Sequence, residues 1–255
     1  MTHREPYSGQ RLSGGAPVRC PAVAPLLTLD VVHADPLLEP DAGQRLGVTR
    51  TRGRVRGRVG GALAWVLVED GEGELRVGDD SVQVRPRGDV FDEPGWSALV
   101  GPGDEVTIDG DIAATIVWRA TDRALDSHII DPATVPDEQR GEGTTARRVR
   151  TYVADGPLIV GETLNPPGGW SSWPPHRHEH EEAYLYRFQP AHGFGVHVGY
   201  DDGADCPVIV RDGSIERITT GWHPVVAAPG FTMYYLWALA GDTDTVDTKL
   251  DPRFA

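Results

Sequence analysis

Short apolar runs separated by turn residues fill the chain from about residue 26 onward. Residues 62–68 (ALAWVLV) form a nearly continuous apolar run, which indicates a strand. After a turn rich in Glu and Gly, residues 74–77 and 81–85 alternate between polar and apolar positions, as half-buried strands do. Such a dense series of short strands and turns favours a barrel or a sandwich.

The composition supports an all-β fold. The 255 residues include 31 Gly and 21 Pro, while long stretches with helical spacing are scarce. Gly and Pro are the main turn residues, so this composition indicates many short strands joined by tight turns. The length suits one large β domain or two small ones.

A polar stretch divides the strand-rich sequence into two halves. Residues 131–145 (DPATVPDEQRGEGTT) contain two prolines and two glycines, which is typical of an interdomain linker. The second half repeats the layout of the first, which favours a duplicated barrel. We predict a flexible arm over residues 1–24, a first barrel over 25–135 and a second over 136–255. The polar C-terminal residues, from 242 onward, are expected to form a loose tail or a dimer arm.

The charge and the termini restrict the partners and the compartment. The net charge of −14 argues against nucleic acid, because phosphate binding needs a basic surface. The basic stretch over residues 50–58 (RTRGRVRGR) alternates as one solvated face of a strand would. Cys20 and Cys206 are expected to be free thiols in a reducing compartment. No signal peptide or membrane-spanning apolar run is visible, so we predict a cytoplasmic protein without a membrane partner.

Six of the nine histidines lie between residues 176 and 223, and the densest group is PPHRHEHEE, residues 174–182. On an extended segment His176 and His178 share one face, because strand side chains alternate with period two. Glu182 has the same parity. A shared face would let these side chains reach one ion from adjacent positions.

Another strand must supply the remaining ligand, and His223 in TGWHP is the candidate. Imidazoles with one carboxylate suit Zn, Mn, Fe, Ni or Co and can leave a coordination position open. A solvated acidic loop is the competing interpretation, but the carboxylate at strand spacing and the later Gly-x-His-Pro favour a metal site. His180 and His192 are expected to be solvated loop residues.

Several separated segments resemble one family. They agree with it in order and spacing, and they are residues 139–143 (QRGEG), 161–178 (GETLNPPGGWSSWPPHRH), 181–188 (EEAYLYRF), 221–225 (GWHPV), 228–230 (APG) and 234–236 (YYL). This set is similar to the 5-deoxy-glucuronate isomerases of myo-inositol catabolism. These enzymes belong to the cupin superfamily and are related to 4-deoxy-5-threo-hexosulose-uronate ketol-isomerase. The resemblance implies two tandem cupin barrels, or jelly rolls, of which only the second binds metal.

The resemblance also implies a reaction. It places the metal ligands on His176, His178, Glu182 and His223, with Glu181 as the alternative carboxylate if the register is off by one. It implies an aldose–ketose isomerase that converts 5-deoxy-glucuronate to 2-deoxy-5-keto-gluconate through a metal-stabilised enediolate. One divalent ion is expected, Zn or Mn first and Fe, Ni or Co as alternatives. A homodimer or a homohexamer is the expected assembly.

A base must lie within hydrogen-bond reach of the carbon that loses its proton. Tyr186 is the first candidate, because its parity with Glu182 directs it into the barrel, although it could equally fill the core. Glu181 and Tyr235 are the other candidates for catalysis.

For contact with a sugar-acid substrate, the sequence offers Tyr184, Arg187 and His197. Tyr184 could also simply fill the core. Arg187 has the opposite parity to the ligands, which favours the outside of the barrel.

The chain departs from the family pattern at three places. It has His197 and Val198 where Gln-Arg is usual, Trp222 where Tyr is common, and Trp237 where Asn often occurs. A missing arginine near the barrel mouth bears on the substrate, since arginine could bind its carboxylate. Two alternatives therefore stay open. One is another metal-dependent cupin enzyme, a dioxygenase or an isomerase of a different sugar acid, and the other is a non-catalytic sugar- or metal-sensing bicupin.

Overall fold

The chain folds almost entirely into β-strands, which confirms the predicted all-β class. The computed structural model describes residues 27–31, 34–40, 43–201 and 203–254. Within these residues the only helical elements are two 3-10 turns, and no helix is long and apolar enough to cross a membrane. The predicted arm over residues 1–24 lies outside the described residues, as does Cys20, while Cys206 is exposed and free.

The first half forms one nine-stranded antiparallel sheet with the path β1-β4-β8-β5-β7-β9, to which β2, β3 and β6 are attached. Its strands are β1 (Leu27–Val31), β2 (Ala34–Leu38), β3 (Leu46–Arg52), β4 (Val55–Val59), β5 (Ala62–Val77), β6 (Asp80–Val84), β7 (Ser97–Val100), β8 (Glu105–Ala120) and β9 (His128–Ile130).

The first seven residues of β5 are continuously apolar because they contribute to two different cores. Ala64 and Val66 face the core of the first half, whereas Trp65 and Leu67 on the opposite face pack against the second half. Both faces of this part of β5 are therefore buried, and neither face needs polar side chains.

The second half contains three sheets. A six-stranded sheet has the order β10-β11-β12-β20-β15-β18, a four-stranded sheet the order β13-β19-β16-β17, and β14 pairs with β21. The elements are a 3-10 turn (Pro132–Thr134), β10 (Asp137–Arg140), a second 3-10 turn (Gly143–Thr145), β11 (Arg147–Val153), β12 (Leu158–Asn165), β13 (Trp170–Ser171), β14 (His176–Arg177), β15 (Glu181–Gln189), β16 (Phe194–Tyr200), β17 (Asp205–Arg211), β18 (Ile215–Ile218), β19 (Val225–Ala227), β20 (Thr232–Ala240) and β21 (Lys249–Leu250).

The strands β15 and β20 in this six-stranded sheet are buried on both faces. On one face Tyr186 and Met233 pack against Val225 of the four-stranded sheet. On the other face Leu185 and Leu236 join the apolar cluster shared with the first half. Because strand side chains alternate, these two strands each contribute to two different cores.

Two segments differ from the sequence expectation. Part of the presumed linker is β10, an edge strand of the six-stranded sheet, and the predicted division between residues 135 and 136 stays a prediction. The C-terminal segment is not loose over residues 249–254, because β21 pairs with β14. Asp251 is buried and accepts a hydrogen bond from Tyr200 Oη at 2.8 Å.

The basic stretch over residues 50–58 forms the expected solvated face on β3 and β4. Exposed ion pairs join Arg52 to Asp111 and Arg54 to Asp109 across the sheet. Exposed pairs of this kind contribute little to stability, so this face bears mainly on solubility.

A buried ion network joins the two halves. Glu162 on β12 accepts hydrogen bonds from Arg87 Nη2 at 2.7 Å, from Arg150 Nη1 at 3.1 Å and from Tyr234 Oη at 2.9 Å. The Arg150 guanidinium also donates to the carbonyls of Val90 and Glu93 in the first half. Glu162 therefore compensates the buried Arg87 guanidinium and, together with Asp137 at 3.0 Å from Nε, that of Arg150.

We expect Glu162→Gln to lower the free energy of unfolding by about 3–5 kcal/mol, because it leaves the buried Arg87 guanidinium without a carboxylate and removes one of the two carboxylates that pair with Arg150. Urea denaturation followed by circular dichroism measures the change. The matched control is Glu74→Gln, which removes the carboxylate of the exposed Arg76 pair and should cost less than about 0.5 kcal/mol. Equal losses in the two variants would show that the buried network does not stabilise the fold.

Candidate metal centre

Three histidines and one carboxylate converge inside the second half. His176 lies on β14, His178 directly after it, Glu182 on β15, and His223 two residues before β19. The ligating atoms of the three histidines lie within 4.8 Å of one another. Glu182 Oε2 is 3.2 Å from Nε2 of both His178 and His223. The structure thus brings together the four predicted ligands.

Backbone carbonyls orient each of the three rings. In each ring Nδ1 contacts the carbonyl oxygen of a residue two positions away in the chain. The distances are 3.3 Å from His176 to Pro174, 2.9 Å from His178 to His180 and 3.1 Å from His223 to Gly221. A carbonyl oxygen only accepts, so each Nδ1 carries a proton, and Nε2 is the ring nitrogen left to bind an ion once it is unprotonated. This is how metal-ligating imidazoles are commonly oriented.

Charge and burial suit a cation at this point. Burial lowers the pKa of His176 to about 4, which keeps its ring neutral near pH 7. Burial opposes ionisation of Glu182, yet the adjacent imidazoles of His178 and His223 hold the pKa of this carboxyl well below its usual range. For His178, burial is outweighed by the hydrogen bond to Glu182, which raises its pKa. One ionised carboxylate therefore faces three ring nitrogens.

A buried ring nitrogen without a hydrogen-bond partner indicates that these residues fit a metal ion. Nε2 of His223 is buried and has no hydrogen-bond partner, although Glu182 Oε2 is close. Buried polar nitrogens rarely lack a partner, so this atom calls for one. Three nitrogens and one oxygen are a donor set that divalent transition metals accept, so the site is compatible with such an ion.

A cavity of about 300 Å³ opens over this cluster. Its wall includes His176, His178 and Glu182, together with two tyrosines, Tyr184 and Tyr235. A group bound by the four ligands would therefore be within reach of a small molecule in the cavity.

Serine hydroxyls hold the two cavity tyrosines in place. Tyr184 Oη and Ser172 Oγ form a hydrogen bond of 2.9 Å, and Tyr235 Oη donates to Ser171 Oγ at 2.8 Å. Ser172 has a φ of 51°, an uncommon value for a residue with a side chain. Such strained positions occur often at functional sites.

Both cavity phenols are held in the protonated form. Burial raises the pKa of Tyr184 well above its usual range, and burial also raises the pKa of Tyr235. Near neutral pH each hydroxyl is therefore a proton donor and not a free phenolate.

Tyr186, the first candidate base from the sequence, lies deeper in the barrel. It is fully buried, forms a 2.9 Å hydrogen bond with Nδ1 of His197, and is not among the described residues that line the cavity. His197 contacts a separate cavity on the side of His223. Burial lowers the pKa of His197 to about 4, so its ring is neutral. The structure therefore places this pair behind the ligand cluster.

Glu181 and Arg187 point away from the cavity. Glu181 accepts hydrogen bonds from Arg217 Nη1 at 2.5 Å and from the backbone amide of Arg45 at 2.6 Å, on the side of the first half. Arg187 pairs with Asp212 and Glu69. Both have the opposite parity to Glu182 on β15, so the prediction that they contact substrate does not agree with the structure. Glu181 likewise cannot replace Glu182 as a ligand.

Other residues at the site were missed or misjudged from the sequence. The cavity is also lined by Ser172, Arg140 and Arg147. The sequence segments that resemble the family contain Ser172 and Arg140, but none of the three residues was predicted to be at the site. His180 was expected in solvent but is buried, with Nε2 3.1 Å from the carbonyl oxygen of Thr243. His192 is exposed, as expected.

Solved structures with similar folds include two informative examples. An IolB-like protein from Salmonella typhimurium LT2 superposes with a TM-score of 0.81 at 22% identity, over 91% of this chain and 98% of that one. A cupin 2 conserved barrel domain protein from Leptotrichia buccalis gives a TM-score of 0.51 at 14% identity, over 83% of this chain and 91% of that one. These likenesses establish a cupin-like fold.

Sequence relatives are more specific. Proteins named 5-deoxy-glucuronate isomerase from Geobacillus kaustophilus (strain HTA426) and Geobacillus thermodenitrificans (strain NG80-2) are each 33% identical to this chain. The first match covers 67% of this chain and 68% of the relative, and the second 65% and 67%. The sequence profile of the KduI/IolB family matches residues 58–255. This chain therefore belongs to the KduI/IolB family.

Proposed function

We propose that this protein is a metal-dependent aldose–ketose isomerase that converts 5-deoxy-glucuronate to 2-deoxy-5-keto-gluconate in inositol catabolism. The observation that carries the proposal is the convergence of His176, His178, Glu182 and His223 beneath an open cavity, in a chain of this family. The relatives named 5-deoxy-glucuronate isomerase supply the choice of substrate.

The four side chains are the proposed ligands of one divalent ion, with Zn or Mn as the first choices and Fe, Ni or Co as alternatives. When bound, such an ion supplies Lewis-acid stabilisation of negative charge on the carbonyl and hydroxyl oxygens of the substrate. The carbonyl contacts at Nδ1 of the three histidines hold the ligand set in place before binding. Little reorganisation is then needed when substrate enters.

Isomerisation moves one proton from a carbon of the substrate to the adjacent carbon. It also moves a second proton between the two oxygens that these carbons carry. We assign this transfer to Tyr184, since its hydroxyl lies on the cavity wall in the protonated form. The phenol gives its proton to the oxygen of the original carbonyl and receives one from the neighbouring hydroxyl as that group becomes the new carbonyl. Ser172 orients the phenol through its hydrogen bond. Tyr235 lies beside Tyr184 and supports the same wall of the cavity.

Tyr186 has a supporting role in this proposal. Its hydroxyl is engaged by His197 behind the ligands, so it orients that ring and does not contact the substrate. The predicted dimer or hexamer stays a prediction, which sedimentation of the metal-loaded protein can measure.

We expect His178→Ala to lose both the bound ion and the isomerase activity, because it removes one nitrogen from the ligand set and the hydrogen-bond partner of Glu182. Metal content is measured by plasma mass spectrometry, and turnover of 5-deoxy-glucuronate by NMR. His192→Ala is the control, since this histidine is exposed and its ring packs edge-to-face against Phe231.

The wild-type protein and the control should each carry about one ion per chain and form product, as expected of one four-ligand site. Wild-type protein without a bound ion would contradict the ligand assignment. Wild-type protein with the ion but without product would contradict the choice of substrate, and other sugar acids and oxygen uptake would then be measured.

The two tyrosines on β15 give a second prediction. Tyr184→Phe should lower kcat by about 10²–10⁴-fold with the metal content unchanged, as expected for loss of a proton-transfer group. Tyr186→Phe should lower kcat by much less than Tyr184→Phe does, because the Tyr186 hydroxyl is hydrogen-bonded to His197 and does not line the cavity. Initial rates by NMR at saturating substrate separate the two variants. A larger loss for Tyr186→Phe would restore Tyr186 as the proton-transfer group.

A further inference from the structure

Two arginines face each other at the wall of the metal-site cavity. Arg140 ends β10 and Arg147 begins β11, and the two are direct register partners in the antiparallel pair. Both line the cavity that contains His176, His178 and Glu182. The adjoining ends of β10 and β11 thus place two guanidinium groups at the same cavity as the ligand cluster.

Such a pair is costly without an anion, because like charges directly opposite each other destabilise a sheet. Arg140 is partly compensated by Glu138 on its own strand, at 2.7 Å from Nη2 to Oε2. Within the described residues, Arg147 makes no ion pair, and its Nη1 donates to the carbonyl oxygen of Thr145 at 3.0 Å. The Arg147 guanidinium therefore remains available to an anion in the cavity.

The guanidinium of Arg147 occupies space beside Gly141, in the connection between β10 and β11. Gly141 has a φ of +74°, which favours glycine, and a Cβ at this position would lie 2.8 Å from Nη1 of Arg147 and would also meet the carbonyl oxygen of Thr145. Any larger residue would displace both groups. The backbone of the turn therefore sets the position of Arg147.

The other arginines near the ligands are engaged elsewhere. The Arg177 guanidinium lies 4.5 Å from the ring centroid of Trp222, and Arg187 pairs with Glu69 and Asp212. Arg140 and Arg147 are therefore the two arginines that line the cavity itself. Guanidinium groups suit a carboxylate because they can donate two parallel hydrogen bonds to it.

We propose that Arg140 and Arg147 bind the carboxylate of the substrate, with the reacting end of the molecule at His176, His178, Glu182 and His223. The proposal rests on the proposed function, since it assigns the substrate of that site to the sugar acids.

Equilibrium binding tests the pair without relying on turnover. Metal-loaded wild type, Arg140→Gln and Arg147→Gln are titrated with D-glucuronate and with its uncharged amide, D-glucuronamide, by calorimetry. Wild type should bind the acid about 10–100-fold more tightly than the amide, the range expected for charge-assisted hydrogen bonds. Arg147→Gln should abolish this difference by weakening the acid alone, and Arg140→Gln should reduce it.

Arg76→Gln is the matched control. Arg76 pairs with Glu74 two positions earlier on its own strand, as Arg140 does with Glu138, and the two arginine side chains are 51% and 48% exposed. The control should keep the full preference for the acid. Because Arg140 is exposed, its variant also provides the test if Arg147→Gln does not fold.

Kinetics separates this proposal from the proposed function. With 5-deoxy-glucuronate, Arg147→Gln should raise KM about 10–100-fold and change kcat less than about threefold, because a carboxylate contact far from the reacting bond binds ground and transition states alike. A wild type that prefers the acid but does not turn over 5-deoxy-glucuronate would refute the proposed reaction and leave the carboxylate site standing. A wild type without that preference, or variants that retain it, would overturn the carboxylate site.

Discussion

The alternation of side chains along β15, in a sheet buried on both faces, is the constraint on which the rest of the structure depends. Glu182, Tyr184 and Tyr186 point into the second half, whereas Glu181 and Leu185 point to the first half. A shift of one residue would exchange the two sets. It would bury the metal-site carboxylate between the halves and break both apolar cores, so packing and chemistry specify the same register.

Two buried carboxylates show how different partners lead to different roles. Glu162 meets two arginines and a tyrosine, which satisfy it completely and tie the two halves together. Glu182 meets imidazoles whose Nδ1 protons are committed to backbone carbonyls, so Nε2 of each ring is the atom left for a ligand. The first arrangement has no unused acceptor for a ligand. The second is an incomplete polar cluster that a cation would complete.

The local sequence predicted much of the ligand cluster, because the period of two places His176, His178 and Glu182 on one face without any knowledge of the fold. The same parity correctly placed Arg187 on the face of β15 opposite to the ligands. For Tyr186 the parity gave the face of the strand but not the depth along it. Tyr184, two residues nearer to Glu182, reaches the cavity, whereas Tyr186 ends at His197.

The sequence by itself determined the all-β class, the metal-ligand candidates and the side of β15 that faces them, because strand periodicity and turn composition are local properties. Only the tertiary structure decided that β10, which resembles a linker in composition, is a strand at the edge of the sheet. It also decided that Arg140 and Arg147 line the cavity and that Glu162 joins the halves. These contacts depend on strand order across β10, β11, β12, β20 and β15, which sequence spacing does not encode.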